Sequence, residues 1–310
     1  MVQTPATSAN LGPGFDSLGL ALSLHDEVHA QVTGGGLRIE VVGVGERAAG
    51  YGEGHLVVRA MRAAFEVLGE QPPGIWMRCV NAIPQGFGLG SSAAAIVAGV
   101  LAARALFGGS GPERLPDDAV LQLAADLEGH ADNVAACLAG GLTIAWDVTG
   151  PASVRCLRLE PLQGLTPVLC VPAVPLATEA ARQVLPEAVP HADAAKNAAR
   201  CALLVAALTG AGLARTGLTA DASVLLDATR DFLHQPYRAS SMRATAGLIG
   251  ALREAGIAAV VSGAGPAVLA LTVPGVTAGP DAVAAVAHKS GRGWTVSVLD
   301  IDREGAMVRA

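Results

Sequence analysis

The strongest constraint on this chain is a glycine-rich segment, IPQGFGLGSSAAAIVAGVLAARALF, at residues 83–107. A β-like run precedes it at 75–80, and no charged residue occurs between Ser91 and Arg104. This order predicts a strand, a loop and then a buried helix. The first N–H groups of a helix lack internal partners and carry partial positive charge, and glycines let the backbone approach an anion closely. The segment therefore predicts a phosphate-binding loop.

Two common phosphate-loop patterns do not fit this segment. A Walker A loop requires a lysine, and the segment has none. A dinucleotide fingerprint requires a third glycine where Ser91 stands. A simple glycine turn before a core helix is the plain alternative. The paired Ser91 and Ser92 favour phosphate binding, because a hydroxyl there can cap the helix or bind a magnesium ion beside the phosphates.

Composition limits the classes of protein to which the chain can belong. Its 310 residues are enough for two domains of roughly 100–200 residues each. A net charge of −6 disfavours nucleic acid as a partner. The N-terminal residues lack an apolar leader, and the charge-free runs at 79–103 and 255–280 are interrupted by glycine and proline. We therefore expect no membrane association and a cytoplasmic location.

The cysteine and lysine counts exclude further chemistry. The five cysteines are scattered and form no CxxC pair, which disfavours a metal ribbon or a redox pair. We expect them to be buried free thiols. The only two lysines, Lys196 and Lys289, disfavour a catalytic lysine of the P-loop type.

Periodicity and turn residues outline the remaining elements. A Gly34–Gly36 turn within the alternating residues 23–47 predicts a hairpin, and the apolar runs around SGAGP at 262–266 predict a second one. Helices are predicted at 56–68, from 116 to 128, at 194–211, 223–233 and 282–288, and strands at 142–148, 167–174 and 294–299.

The glycine segment resembles a known family. Residues 84–94, PQGFGLGSSAA, are similar to the phosphate-binding motif of the GHMP small-molecule kinases, although Phe87 stands where many members have a small or basic residue. The resemblance implies that ATP is bound by Pro84, Gln85, Gly86, Phe87, Gly88, Leu89, Gly90, Ser91, Ser92, Ala93 and Ala94. It also implies that the segment near His55, Leu56 and Val57 borders the adenine.

A second segment points to one branch of that family. Residues 8–22, SANLGPGFDSLGLAL, resemble the first motif of the members that phosphorylate homoserine. The resemblance implies that Asn10 and Asp16 face the substrate, with Asp16 suited to pair with an ammonium group. Whether Asp16 also acts as a base stays open. The plain alternative is that both residues bond their own backbone in a turn.

A third segment, EGHADN at 128–133, also resembles that branch. The resemblance implies that Glu128 binds Mg²⁺ opposite Ser92, and that Asn133 lies near the substrate hydroxyl, where it would serve as a catalytic residue. A carboxylate and an amide before an apolar stretch are otherwise ordinary helix caps. His130 is expected to be a structural, hydrogen-bonded histidine.

The second half of the chain supplies further candidates for binding the substrate. Thr178 and Arg182 match a TxxAR pattern, Arg238 ends the segment HQPYR, and Gly263 lies in the third glycine motif, SGAGP. An arginine can hold a carboxylate through two parallel bonds, which a lysine cannot do. A capping threonine and surface arginines are the alternatives.

The resemblance covers nearly the whole chain and implies a fold. We expect an α+β protein of two domains, an N-terminal ATP-binding domain of the ribosomal-protein-S5-domain-2 type at 1–150 and a ferredoxin-like domain at 151–310. The implied reaction is phosphorylation of the side-chain hydroxyl of L-homoserine by ATP with Mg²⁺, giving O-phospho-L-homoserine for threonine biosynthesis from aspartate. The frequency of homodimers among small enzymes predicts a homodimer.

Two other functions are weighed against this one. One is a kinase of the same family that acts on another small alcohol, such as mevalonate or a diphosphocytidyl-methylerythritol. The segments named above disfavour it, because they supply partners for an ammonium group and a carboxylate. A non-catalytic binding protein with this fold would have no need for the pair Ser92 and Glu128.

Overall fold

The computed structural model describes residues 1–107, 114–148, 153–175, 183–210, 222–291 and 293–309. The described strands form one seven-stranded sheet and one four-stranded sheet. The strands are β1 (Val2–Ala9), β2 (Leu18–Thr33), β3 (Gly36–Gly43), β4 (Gly74–Asn81), β5 (Leu142–Asp147), β6 (Val154–Leu159), β7 (Thr166–Pro172), β8 (Ala258–Val261), β9 (Val268–Thr272), β10 (Trp294–Val298) and β11 (Met307–Val308).

Helices pack against both sheets, so the α+β class predicted from the sequence is confirmed. They are α1 (Leu56–Leu68), α2 (Ser91–Phe107), α3 (Asp117–Glu128), α4 (Asp132–Ala139), α5 (His191–Thr209), α6 (Ala222–Ala228), α7 (Gln235–Arg238), α8 (Arg243–Glu254) and α9 (Pro280–Lys289), with a 3-10 segment at Glu46–Gly54. None of the helices in the described ranges is long and apolar enough to cross a membrane.

The helix α2 is the centre of the larger core, as its apolar sequence predicted. It is buried on almost every side between Ala93 and Ala103, as expected for a helix that is hydrophobic all round. Its closest neighbour is α1. A Cβ atom at Gly99 would lie 2.5 Å from the carbonyl oxygen of Val57, so this glycine is what lets the two helix backbones touch.

The hairpin predicted within residues 23–47 is wrong. The strands β2 and β3 form, but β4 lies between them, antiparallel to β2 and parallel to β3. Alternation of apolar and polar residues identifies a strand but not its neighbour. Here the chain leaves β3, crosses through α1 and returns as β4, whose residues Ile75, Met77 and Cys79 are buried. These alternate residues form the one face of β4 that packs on the core, while Arg78 on the opposite face is exposed.

The smaller sheet has the order β10-β7-β9-β8. The hairpin predicted around SGAGP is present, with β8 and β9 antiparallel. A separate apolar cluster, which includes Val168, Leu248 and Val283, lies between this sheet and the helices α8 and α9. The predicted strand at 294–299 is also confirmed as β10.

The C-terminal residues return to the larger sheet, which the sequence did not predict. β11 pairs with β1, and Met1 and Arg309 exchange backbone hydrogen bonds of 2.8 Å. The strand β6, which follows residue 151, pairs with β5 of the same sheet. The larger sheet therefore contains residues from both sides of the proposed boundary, and the division at residue 150 stays a prediction.

All five cysteines are free thiols; Cys79, Cys137 and Cys170 are buried as predicted, whereas Cys156 and Cys201 are only partly buried. Burial raises the pKa of the Cys79 thiol to about 12 and that of Cys170 to about 11. Thiolate is the reactive form of cysteine, so these groups stay protonated and unreactive at neutral pH.

A hydrogen bond between His25 and Asp302 fastens the C-terminal segment to β2. Asp302 Oδ2 lies 2.7 Å from His25 Nε2, and Asp302 Oδ1 accepts hydrogen bonds from the amides of Glu304 and Gly305. Burial favours the neutral carboxyl of Asp302, but the bonds from His25 and the two amides outweigh burial and lower its pKa.

We expect Asp302→Asn to lower the free energy of unfolding at neutral pH by about 1 kcal/mol. Because the folded state lowers the pKa of Asp302, its contribution is complete above the unfolded value of 3.8 and is lost as the pH falls through the folded pKa. Urea unfolding at a series of pH values measures the effect. Asp300→Asn removes a neighbouring exposed carboxylate as a control, and equal losses for both variants at every pH would contradict the assignment.

Candidate active site

A cavity of about 740 Å³ lies where the glycine loop, the start of α2 and the N-terminal loop meet. Most of the residues predicted to bind a ligand line it. They are Asn10, Pro84, Gln85, Gly86, Gly88, Leu89, Gly90, Ser91, Ser92, Ala94, Glu128, Asn133, Arg238 and Gly263. His55 and Leu56, predicted to border an adenine, line it as well.

The three alternate glycines of the loop all adopt the left-handed conformation, with φ of 79°, 76° and 66° at Gly86, Gly88 and Gly90. Space also requires glycine at two of them. A Cβ atom at Gly88 would lie 2.0 Å from the Ser262 carbonyl oxygen, and one at Gly90 would lie 2.0 Å from Thr7 Oγ1. The alternate spacing seen in the sequence is therefore imposed by close packing of the loop on its neighbours.

Hydrogen bonds from two other segments hold the glycine loop in place. The Thr7 amide donates to the Leu89 carbonyl at 3.0 Å. The Ser262 hydroxyl lies 2.7 Å from the Gly88 carbonyl and 2.9 Å from the Ser8 hydroxyl. The three glycine-containing motifs of the sequence thus form one connected unit.

Asp26 anchors the start of the glycine loop, and the sequence reasoning missed it. Asp26 Oδ1 accepts hydrogen bonds from the amides of Ala82 and Ile83 at 2.7 and 2.9 Å. Burial raises the pKa of Asp26, although the two amides act against this. The available signal was its place in β2 two residues before the buried Val28, on the same face of the strand.

Ser92 and Glu128 lie side by side at the cavity wall. Ser92 Oγ, in the first turn of α2, donates to Glu128 Oε1 at 2.5 Å across the gap between α2 and α3. α3 ends at Glu128 because Gly129 takes the left-handed conformation, with φ of 88°. A hydroxyl and a carboxylate therefore present oxygen atoms beside a helix N-terminus, which carries partial positive charge.

Asn133 lies at the start of α4 and is buried. Its Oδ1 accepts a hydrogen bond of 2.8 Å from Thr7 Oγ1. Its neighbour Asp132 accepts from the Asn133 amide at 2.8 Å and lies 3.0 Å from His130 Nδ1. His130 thus has the hydrogen-bonded setting that the sequence predicted.

The N-terminal loop, residues 10–16, has an unusual backbone. Among the described residues, the non-glycine residues with positive φ are Asn10, Leu11 and Asp16, at 67°, 48° and 52°. Such conformations cost free energy and cluster at functional sites. The Asn10 side chain spans the loop, since its Oδ1 accepts from the Asp16 amide and its Nδ2 donates to the Gly263 carbonyl, both at 2.8 Å. Asn10 therefore shapes the loop with both ends of its amide.

Residues from the second half of the chain hold the same loop. Asn197 Nδ2 donates to the Pro13 carbonyl and His234 Nε2 to the Gly12 carbonyl, each at 2.8 Å. Arg238 is 1% exposed, and its Nη1 lies 3.0 Å from His234 Nδ1. The guanidinium also lies 5.5 Å from the centre of the Phe15 ring, within the range of a cation–π contact.

Five residues predicted to bind ATP or the substrate are not on the cavity wall or cannot be placed. Phe87 packs against the core and Ala93 is fully buried. Asp16 is exposed beside the cavity, next to Asn10 in space. Thr178 and Arg182 lie outside the described residues.

The donor set at Ser92 and Glu128 suits a magnesium ion shared with a nucleotide. Mg²⁺ is usually bound by one or two carboxylates together with substrate phosphates and waters. Over the ranges that the structure describes, no three His, Cys, Asp or Glu side chains are grouped as a metal site. A metal bound by Ser92 and Glu128 would have room for ligands from outside the chain, such as waters and phosphate oxygens.

Comparisons with known proteins agree with this site. A model of the GHMP kinases N terminal domain matches residues 55–141, and a GHMP kinases C terminal model matches 218–291. A homoserine kinase of Streptomyces coelicolor is 49% identical over 307 residues, which are 99% of this chain and 93% of that protein. One from Streptomyces avermitilis is 50% identical over 308 residues, with coverage of 99% and 94%.

A solved structure is also similar to this chain. The crystal structure of homoserine kinase from Cytophaga hutchinsonii matches with a TM-score of 0.78 and 28% identity, and covers 99% of this chain and 96% of that one. The chain therefore belongs to the GHMP kinase family, whose members are ATP-dependent phosphotransferases, and it has the two-domain α+β fold of that family.

We expect Gly88→Ala to lower the free energy of unfolding by about 2 kcal/mol or more, because the new methyl group would meet the Ser262 carbonyl and occupy a left-handed position. It should also weaken ATP binding. Gly247→Ala is the control, since this glycine lies within α8 with no atom within 4 Å of an added Cβ. That change should stabilise the helix by about 0.5–1 kcal/mol. Chemical unfolding with and without ATP measures both effects, and an equally stable Gly88→Ala protein would contradict the packing argument.

Proposed function

We propose that this chain catalyses ATP-dependent phosphorylation of the side-chain hydroxyl of L-homoserine to O-phospho-L-homoserine, a step of threonine biosynthesis. The observation that carries the proposal is a single cavity that joins a phosphate-type loop to a buried arginine, Arg238. The first feature suits a nucleotide and the second a substrate with a carboxylate. The homoserine kinases of Streptomyces, at 49% and 50% identity over 99% of the chain, support the choice of substrate.

The nucleotide's phosphates would lie on residues 84–94. Left-handed glycines expose the backbone amides of the loop, and the α2 N-terminus adds positive potential. Ser92 and Glu128, whose oxygen atoms are neighbours, would hold Mg²⁺ together with phosphate oxygens. An ion held there would supply positive charge against the negative charge that develops on the transferred phosphoryl group.

The amino acid would lie between the N-terminal loop and Arg238. Arg238 would bind the carboxylate, and the exposed carboxylate of Asp16 would pair with the ammonium group. Asn133 would orient the hydroxyl, while Asn10 and Gly263 fix the loop by the bond between them. Thr178 and Arg182 are proposed as further substrate contacts from the resemblance of their segment alone.

Alignment and charge neutralisation would supply most of the catalysis. Phosphoryl transfer passes through a loose transition state, so a strong base is not required. Asn133 is neutral, and its oxygen is engaged by Thr7. Its amide hydrogens are therefore the part of the side chain suited to contact the substrate oxygen.

The remaining expectations about the chain's setting are proposals as well. We propose a cytoplasmic enzyme with a small-molecule substrate, no nucleic-acid or membrane partner, and a homodimeric state. A two-domain division near residue 150 is proposed with them.

We expect ADP release with Mg·ATP to be strong on L-homoserine and weak on D-homoserine, L-serine, L-threonine and mevalonate. Arg238→Lys should then raise the KM for L-homoserine about 10- to 100-fold, because a lysine cannot form the two-pronged bond. The KM for ATP should stay unchanged. Arg243→Lys, at the exposed start of α8, is the control. Turnover on another alcohol in place of homoserine would remove the substrate assignment and leave the kinase.

We expect Mg·ATP to raise the melting temperature of the protein by mass action. Glu128→Gln should reduce that rise, because the amide binds Mg²⁺ more weakly, and should weaken Mg·ATP binding about tenfold. Asp126→Asn removes an exposed charge from the same helix and should keep the full shift. Adding EDTA should make the parent protein and the Glu128→Gln variant alike. A full shift in Glu128→Gln would contradict the metal assignment.

A further inference from the structure

We propose that His234 is a positioning residue, a neutral imidazole that donates from Nε2 to the Gly12 carbonyl and accepts at Nδ1 from Arg238, so that it aims the guanidinium into the cavity. The inference rests on the proposed function in one respect, since it takes Arg238 as the group that binds the substrate carboxylate. No motif in the sequence assigned a role to this histidine.

Protein atoms surround the His234 side chain. The side chain is fully buried, and its two nitrogens make two bonds, of 2.8 Å to the Gly12 carbonyl and of 3.0 Å to Arg238 Nη1. The Phe15 ring stacks against it with centroids 5.2 Å apart. Gly12 and Phe15 belong to the strained N-terminal loop, so one imidazole contacts both the loop and the arginine.

The chemistry of the partners determines which nitrogen carries the proton. A guanidinium has only donors, so the nitrogen that faces Arg238 must be the acceptor. A carbonyl has only acceptor sites, so the nitrogen that faces Gly12 must carry the hydrogen. Nδ1 is therefore bare and Nε2 protonated. The doubly protonated ring would place an N–H against the N–H of Arg238 and two positive charges together.

The charged groups near the ring agree with a neutral imidazole. Burial lowers the pKa of His234, and Arg238 acts in the same direction, while Asp231, the Gly12 carbonyl and Asp16 act against them. Asp231 Oδ2 lies 3.4 Å from Nε2. However, that oxygen already accepts hydrogen bonds from the backbone amides of His234 and Gln235, at 3.1 and 2.6 Å. Asp231 thus caps the start of α7 and does not hold the ring as an imidazolium.

This arrangement gives Arg238 a fixed direction before any substrate arrives. A free arginine side chain loses considerable rotamer entropy when it is immobilised, and a group fixed in advance avoids that cost on binding. A change at His234 should therefore appear in the KM for the carboxylate-bearing substrate and leave ATP binding alone.

Two amide variants separate the two bonds of the ring. His234→Asn places an amide oxygen where Nδ1 lies, and so can still accept from Arg238. His234→Gln places an amide nitrogen where Nε2 lies, and so keeps the donor to Gly12 but loses the acceptor at the Nδ1 position. We expect the KM for L-homoserine to rise about tenfold or more in His234→Gln and about threefold or less in His234→Asn, with the KM for ATP unchanged in both. Equal rises in the two variants, or a parallel rise for ATP, would overturn the inference.

Nitrogen NMR of the imidazole tests the same arrangement in the unmodified protein without turnover. The ¹⁵N shifts should show the Nε2–H form at neutral pH, with protonation only at a pH below the usual histidine value. Arg238→Met should let the ring titrate at a higher pH, because the adjacent positive charge is gone. An Nδ1–H ring or an imidazolium at neutral pH would overturn the inference.

The two tests separate this inference from the proposed function. A parent enzyme that is active on L-homoserine, with variants of equal KM, removes the role of His234 and keeps the reaction. A parent that is inactive on L-homoserine removes the substrate assignment, and the NMR result alone then decides whether His234 holds Arg238 as proposed.

Discussion

The backbone of residues 10–16 is held in a conformation that these residues would not adopt by themselves, and the rest of the site depends on that restraint. Three non-glycine residues there have positive φ. Gly12 and Pro13 accept hydrogen bonds from His234 and Asn197, and Asn10 donates one to Gly263, all of them far along the chain. Each of these bonds offsets part of the backbone strain. The loop is therefore formed only when both halves of the protein are folded against each other.

The same contacts bring groups that suit anions and groups that suit cations to one cavity and its edge. The α2 N-terminus and Arg238 are positive and suit anions, whereas Glu128 and Asp16 suit cations. Loops of glycine and short polar residues keep these groups apart at fixed distances, as the close approach of Gly88 to Ser262 illustrates. Rigid packing of this kind favours reactions in which alignment of the reacting groups supplies most of the rate acceleration.

The sequence predicted what is encoded locally. The glycine loop and α2 could be identified from consecutive residues. The left-handed positions require glycines, and a helix that is buried all round requires an unbroken apolar run. The pairing of β2 with β4 could not be identified in this way, because alternation of apolar and polar residues shows which face of a strand is buried but not which strand lies beside it. Asp26, His234 and β11 were missed for a related reason. Each acts on residues that are distant in sequence, and a single buried aspartate or histidine looks the same whether it anchors a loop or caps a helix.

The return of the C-terminal residues to the larger sheet has a consequence for synthesis. β1 pairs with β11 at Val2 and Val308, a sequence separation of about 300 residues. A ribosome that makes β1 first cannot supply its outer neighbour until residues 307–308 have been made. The nascent protein thus carries an unpaired edge at β1 while the roughly 300 residues between β1 and β11 are made, and β11 covers that edge.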